Sequence, residues 1–179
     1  MENWLKTFYL LIGVTLVVMF THTIVERKFN DLDFQKSQTT ADYKTVQEVE
    51  QSLDCLAINI YREAGNEPFE GKVAVAQVTL NRVESGKFPD SVCGVVYQKN
   101  KFMEKIVCQF SWYCDRIHRT RPINRQSYDE SYTVAKKVLL EGFRLPSLED
   151  SLYYHADYVN PNWRLKRITK IGNHIFYEG

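Results

Sequence analysis

Apolar residues run without a charge from Phe8 to Phe20 and continue, past Thr21, His22 and Thr23, to Val25. This is the length that a membrane-spanning helix needs, and Trp4, Phe8 and Tyr9 at one end with Arg27 and Lys28 at the other fit interfacial anchors. Residues 26–44 are polar, without a sustained apolar period, and read as a linker. From Thr45 the pattern becomes helical, with Val46, Val49, Leu53, Leu56, Ala57, Ile60 and Ala64 on one face. Gly65 and Asn66 tolerate a left-handed helix end, and Pro68 suits the first turn of a new helix. That second helix, over 68–85, carries Val73 to Ala76, Val78, Leu80 and Val83 around most of its circumference, which predicts a central buried helix capped by Gly86. Asp90 is placed to cap a short helix through Val92, Val95 and Val96.

Residues 98–125 mix aromatic and charged positions without a period and predict loops with a short hairpin. A further helix is expected over 124–141, with Tyr128, Ser131, Tyr132, Ala135, Val138 and Leu139 on one face, Gly142 after it and Pro146 forbidding continuation. The C-terminal segment is dense in Tyr, Val, Ile and Phe with Asn-Pro and Gly-Asn punctuation, which suits short strands. The fold class is therefore α+β: a mainly helical domain over 45–179 with a small β element near its end, preceded by an N-terminal transmembrane helix over 1–25.

Composition narrows the possibilities. A chain of 179 residues with 44% apolar content buries one ordinary core, so one catalytic domain is expected. A net charge of +1, with both signs interspersed, gives no basic field for nucleic acid. No small-x-small cleavage pattern follows the apolar run, so it reads as an uncleaved signal anchor rather than a cleaved secretory signal. The flanking charges are nearly balanced and leave orientation open. Cys55, Cys93, Cys108 and Cys114, even in number and outside the apolar run, suit a domain exported to an oxidising space. They form no CxxC pair, and four cysteines permit three pairings.

Glu63 sits one turn after Asn59, beside Leu56 and Ile60, at the border of the apolar face. Partial burial there disfavours the charged form and raises the pKa, as an acid that holds its proton near neutral pH requires. Position alone favours a solvated helix-terminal Glu over a catalytic one. Glu67, four residues on, is a candidate second carboxylate or a plain turn residue.

The segment DCLAINIYREAGNEPFEGKVAVAQVTLNRV resembles the opening of the catalytic domain in the SleB-type cell-wall hydrolase family, which includes the spore-cortex-lytic enzymes. FPDSVCGVVYQ, CQFSWYCD, YYHADYVNPNW and IGNHIFY resemble that family's later motifs in the same order, so the likeness runs from about Leu53 to Tyr177. It implies a lysozyme-like, lytic-transglycosylase-like domain that cleaves the MurNAc-GlcNAc strand of peptidoglycan, with the Glu of Tyr61-Arg62-Glu63-Ala64 as catalytic acid. Two positions depart from the family pattern: Gly65-Asn66 stands where many relatives have Arg-Gly, and Arg116 where relatives often have Gly. Both spare the acid and alter the adjoining loops.

Gln109, Phe110, Ser111 and Trp112 are candidates to meet sugar rings, with a core role as the alternative for the two aromatics. His155 and His174 are candidates to bond acetamido or lactyl groups, Asn173 and Tyr177 to position Glu63 or the substrate, and Tyr154, Tyr158 and Trp163 to line a groove. Hydrolases use two carboxylates, whereas a lytic transglycosylase needs one, because the muramic acid's 6-hydroxyl replaces water. Glu63 alone points to the transglycosylase; Glu67 or Asp115 as partner would allow hydrolysis. No cofactor or metal is called for. A zinc amidase built on His118, His155 and His174 lacks HExxH spacing, and a wall-binding module without chemistry is the non-enzymatic alternative. The setting suggested is the cytoplasmic membrane with the domain facing the wall, as in a signal-anchor-release phage endolysin or a bacterial wall-remodelling enzyme. The sequence leaves the oligomeric state open.

Overall fold

The computed structural model describes residues 2–179 and divides into two compact units, one ending at Gln47 and the other spanning Glu48–Gly179. Met1 of the expected anchor lies outside the described residues. The first helix, α1, runs Glu2–Ala64. From Phe8 it holds an apolar stretch long and uncharged enough to cross a membrane, with none of it buried against protein. The segment 26–44, expected as a linker without a period, is also helical. It contains neither Gly nor Pro, so nothing in it stops a helix from propagating.

In the second unit α1 buries Leu53, Leu56, Ala57, Ile60 and Ala64. Val46 and Val49, expected on the same face, are exposed. Gly65 and Asn66 do not turn left-handed; the chain instead reverses through a turn in which the Glu67 amide donates to the Ala64 carbonyl at 3.0 Å. A Cβ on Gly65 would stand 2.5 Å from the Tyr61 carbonyl oxygen, so the close approach, not the dihedral, requires glycine there.

Helix α2, Phe69–Glu84, is central as expected. Val73, Ala76 and Leu80 join the larger core with α1, while Ala74 and Val78 form a second cluster with Leu148 and Phe176. Helix α3, Val92–Val96, is capped by Ser91 rather than Asp90: the Ser91 hydroxyl accepts from the Gly94 amide at 3.2 Å. Strands β1, Lys99–Phe102, and β2, Lys105–Cys108, form an antiparallel hairpin, with Met103 and Glu104 at positive φ in its turn. Two short helices follow where loops were expected, α4 over Ser111–Cys114 and α5 over Arg116–Thr120. Helix α6, Arg125–Leu139, starts at Asn124, whose Oδ1 accepts from the Ser127 amide, and packs Val134, Ala135 and Val138 into the core. Strands β3 (Ser151–Ala156), β4 (Arg167–Ile171) and β5 (His174–Glu178) form an antiparallel sheet in the order β3-β5-β4.

Two disulfides close the pairing left open by the sequence. Cys55–Cys93 joins α1 to α3, and Cys108–Cys114 joins β2 to α4 across six residues. Such links stabilise chiefly by restricting the unfolded chain.

The sheet is fastened to α2 by side chains that reach backbone groups. Asn81 Nδ2 donates to the carbonyls of Leu148 at 2.8 Å and Ser151 at 2.9 Å, and Arg82 Nε donates to Leu152 at 2.8 Å. Asn81→Ala should leave buried carbonyls unpaired and cost about 2–3 kcal/mol. A shift of the urea unfolding midpoint checks this, and an unchanged midpoint would show that the seam does not depend on Asn81.

Candidate active site

Glu63 occupies the last turn of α1, where two cavities meet. One, of about 810 Å³, is lined by residues such as Gly65, Glu67, Asn124, Asp157 and Asn173. The other, of about 770 Å³, is lined by Arg82, Gln109, Phe110, Trp112, Tyr153 and Trp163 among others. Arg62, Glu63, His118, Ala156, Tyr158 and His174 border both. The two cavities therefore form one elongated cleft with Glu63 between its halves.

The hydrogen-bond partner of Glu63 is Tyr154 on β3, whose hydroxyl donates to Oε2 at 3.1 Å. Burial raises the Glu63 pKa above its ordinary value; the Tyr154 bond and the positive charge of Arg82 oppose this without cancelling it. Tyr154 itself is pushed well above the usual tyrosine range, by burial first and then by Glu63.

The other carboxyl groups lining the cleft are already engaged. Glu67 accepts from the Asn173 amide at 3.1 Å and from Asn173 Nδ2 at 2.8 Å. Gly172 precedes that turn with φ +57°, and a Cβ there would stand 1.9 Å from Glu67 Oε2, so glycine alone lets the β4–β5 turn close on the carboxylate. Asp115 caps α5 with Oδ1, which accepts from Ile117 and His118 amides, while Oδ2 meets His118 Nδ1 at 2.8 Å. These bonds, led by that from His118, hold the Asp115 pKa below the ordinary value. Asp157 pairs with Lys170 at 2.7 Å, which lowers its pKa likewise. Glu63 differs from these three in its setting: it is bonded to a buried tyrosine hydroxyl and its proton affinity is raised by burial.

The remaining candidates divide by surroundings. Gln109, Phe110, Ser111 and Trp112 all border the second cavity. Phe110 and Trp112 are also core residues, and Trp112 Nε1 donates to the buried Asn59 Oδ1 at 3.0 Å, so the core and groove readings coincide. His155 faces the cavity with its ring held, Nδ1 against the Ala156 carbonyl and Nε2 against the Tyr177 hydroxyl at 2.9 Å. Tyr177 thus supports His155, and Asn173 supports Glu67, where both were expected to position Glu63 or the substrate. His174 is 7% exposed and its Nδ1 has no partner; burial chiefly lowers its pKa. Tyr158, 87% exposed, stands at the rim of both cavities, and Trp163 stacks edge-on against His155. His118, His155 and His174 do not converge as a ligand set: among the described residues no three His, Cys, Asp or Glu groups could hold a metal ion.

Arg82 was missed in the sequence. The available signal was a cation on a helix otherwise apolar on most of its faces, a position where a charge is costly unless it is used.

A mainly helical domain with a small C-terminal sheet and a buried carboxyl group in a cleft suits a hydrolytic type of enzyme, and the chain belongs to the cell wall hydrolase family: the family model matches residues 66–177. That match opens three residues after Glu63. The spore cortex-lytic enzyme of Bacillus subtilis (strain 168) is 34% identical over 127 residues, covering 69% of this chain and 36% of the relative. The spore cortex-lytic enzyme of Oceanobacillus iheyensis is 31% identical over 131 residues, covering 71% and 41%. The chain thus spans well under half the length of these relatives. The crystal structure of the Bacillus cereus SleB catalytic domain superposes with TM-score 0.53 at 28% identity, covering 72% of this chain and 91% of that one. The catalytic domain of the germination-specific lytic transglycosylase SleB from Bacillus anthracis gives TM-score 0.52 at 29% identity, covering 71% and 93%.

A carboxyl group whose pKa is raised by folding has a stability signature. The native state then binds more protons than the unfolded chain, so stability falls as pH rises from the ordinary carboxyl value of 4.5 through the native pKa. Glu63→Gln, which never ionises, should therefore melt higher than wild type above that window and equal it below about pH 4. Thermal melts at both ends check this; a variant that is less stable at neutral pH would contradict the assignment.

Proposed function

We propose that this chain degrades peptidoglycan by cleaving the MurNAc-GlcNAc strand as a lytic transglycosylase, with Glu63 as both acid and base. The observation that carries the reading is that Glu63 is buried in the cleft with a raised proton affinity, while the other carboxyl groups described there, Glu67, Asp115 and Asp157, are held by Asn173, His118 and Lys170. Family membership and the name borne by the Bacillus anthracis relative support it.

In this mechanism a strand lies along the cleft with its scissile bond at Glu63. The protonated carboxyl gives its proton to the glycosidic oxygen as the C1–O bond breaks and C1 takes on oxocarbenium character. The resulting carboxylate removes the proton from the 6-hydroxyl of the same muramic residue. That oxygen bonds to C1 and closes a 1,6-anhydro ring, leaving Glu63 protonated for the next cut. No water nucleophile is needed, and so no second free carboxylate. Phe110, Trp112, Tyr158 and Trp163 offer aromatic faces along the groove, while Gln109, Ser111, His155 and His174 offer polar contacts to the sugar substituents.

The apolar stretch of α1 would hold the domain at a membrane, with the catalytic unit on the oxidising, wall-facing side where both disulfides form.

Glu63→Gln should lower the rate of wall lysis by at least about 100-fold. Mass spectrometry of the wild-type digest should show anhydro-muropeptides; new reducing ends would make it a hydrolase, and freed stem peptides an amidase. On fractionation, wild type should sediment with membranes and a variant lacking residues 1–25 should not.

A further inference from the structure

Arg82 is a buried cation that the mechanism above leaves without a task. Its side chain is 4% exposed, on the last turn of α2. Nε donates to the Leu152 carbonyl, and the guanidinium lies 5.1 Å from the ring centre of Phe110, 5.3 Å from Phe88 and 5.9 Å from Tyr154. Nη1 is buried and has no hydrogen-bond partner. Among the described residues no carboxylate forms an ion pair with it, whereas the domain's other buried cation on α2, Lys72, has Glu130 at 2.7 Å. A buried guanidinium without a counter-charge is costly, and stationing it on the wall of the cleft that holds Glu63 calls for a compensating gain.

We propose that Arg82 is the fixed charge partner of Glu63, a positioning residue that stabilises the carboxylate formed when Glu63 gives up its proton. The inference rests on the reading of Glu63 as the acid. Before the reaction Glu63 is neutral and Arg82 uncompensated. Proton transfer creates an anion in the same low-dielectric setting, where opposite charges attract far more strongly than in water. The attraction is therefore stronger in the transition state than in the ground state, which is the condition for accelerating the chemical step. The guanidinium is held by Leu152 and three rings, so no reorganisation accompanies the charge change. Tyr154 joins the two groups: its hydroxyl bonds Glu63 and its ring faces Arg82. Nη1 is buried without a partner, and Tyr154 links the guanidinium to Glu63, so the role inferred for Arg82 is exerted through Glu63.

The titratable and charged groups that face Glu63 or share its cleft are Tyr61 and Arg62 on α1, Glu67 in the turn after it, Arg82 on α2, Asp115 and His118 at α5, Arg121 after it, Tyr153, Tyr154 and His155 on β3, Asp157 and Tyr158 after it, and His174 on β5. The test follows Glu63 directly, by carbon-13 NMR titration of the carboxyl group in the solubilised full chain, together with the pH profile of wall lysis. Arg82→Gln should move the Glu63 titration and the alkaline limb of the profile to higher pH and lower kcat roughly 100-fold, with KM little changed. Arg82→Lys, which keeps the charge, should hold the titration near its wild-type position and recover most of the rate. A folded Arg82→Gln with an unmoved Glu63 titration overturns the proposal. If Arg82→Gln does not fold, Arg82→Lys decides: an intact titration and rate support a charge role, and a folded Arg82→Lys that has lost the rate overturns it. Glu63→Gln run alongside separates the two readings. Wild-type lysis by that variant would remove the assignment of Glu63 as acid, while an inactive Glu63→Gln with an unmoved Arg82→Gln titration would remove the Arg82 inference alone.

Discussion

Burying α2 on both sides is the constraint from which the rest of the domain follows. Its apolar residues divide between two clusters, and its polar residues Gln77, Thr79, Asn81 and Arg82 are left without water. Each must find a protein partner or exact a desolvation cost. Asn81 and Arg82 find theirs in the backbone that leads into and forms β3, and Gln77 bonds both the amide and the carbonyl of Leu145. Satisfying one helix thus fixes where the sheet lies, and the sheet carries Tyr154 to Glu63.

The surroundings of Glu63 are assembled from both sides of that seam. Helix α1 delivers Glu63 in its last turn, between the buried Ile60 and Ala64, on the side that borders the cleft. Strand β3 supplies the hydroxyl that orients it, and α2 the positive charge that tempers its proton affinity. Desolvation outweighs the other two influences, so the proton affinity of Glu63 is raised on balance. The same economy holds at the other carboxylates. Glu67 closes the β4–β5 turn and Asp115 caps α5, structural uses that keep both occupied.

Much of this was legible in the chain. The helices over 45–64, 68–85 and 124–141, the buried face of the first from Leu53 onward, the C-terminal strands and the position of Glu63 at the edge of an apolar face came from spacing alone, and the five ordered motifs gave the family. Failures came where a local rule had a competitor. Asp90 and Ser91 are both good caps, and only the loop geometry selects Ser91. Gly65 suggested a left-handed end but is required by close approach to Tyr61. Residues 26–44 had no apolar period, yet helix propagation needs only the absence of breakers.

What the sequence by itself determined were properties that depend on neighbours along the chain: helix periods, turn residues, an apolar run long enough for a membrane, and an even set of exported-type cysteines. What only the tertiary structure decided were properties of residues far apart in sequence. The choice among three disulfide pairings, the bond from Tyr154 to Glu63 across 91 positions, the capture of Glu67 by Asn173 across 106, and the isolation of Arg82 all belong to this class. The physical reason is that desolvation and charge pairing are set by what packs around a group, and periodicity reports only which side of an element faces inward.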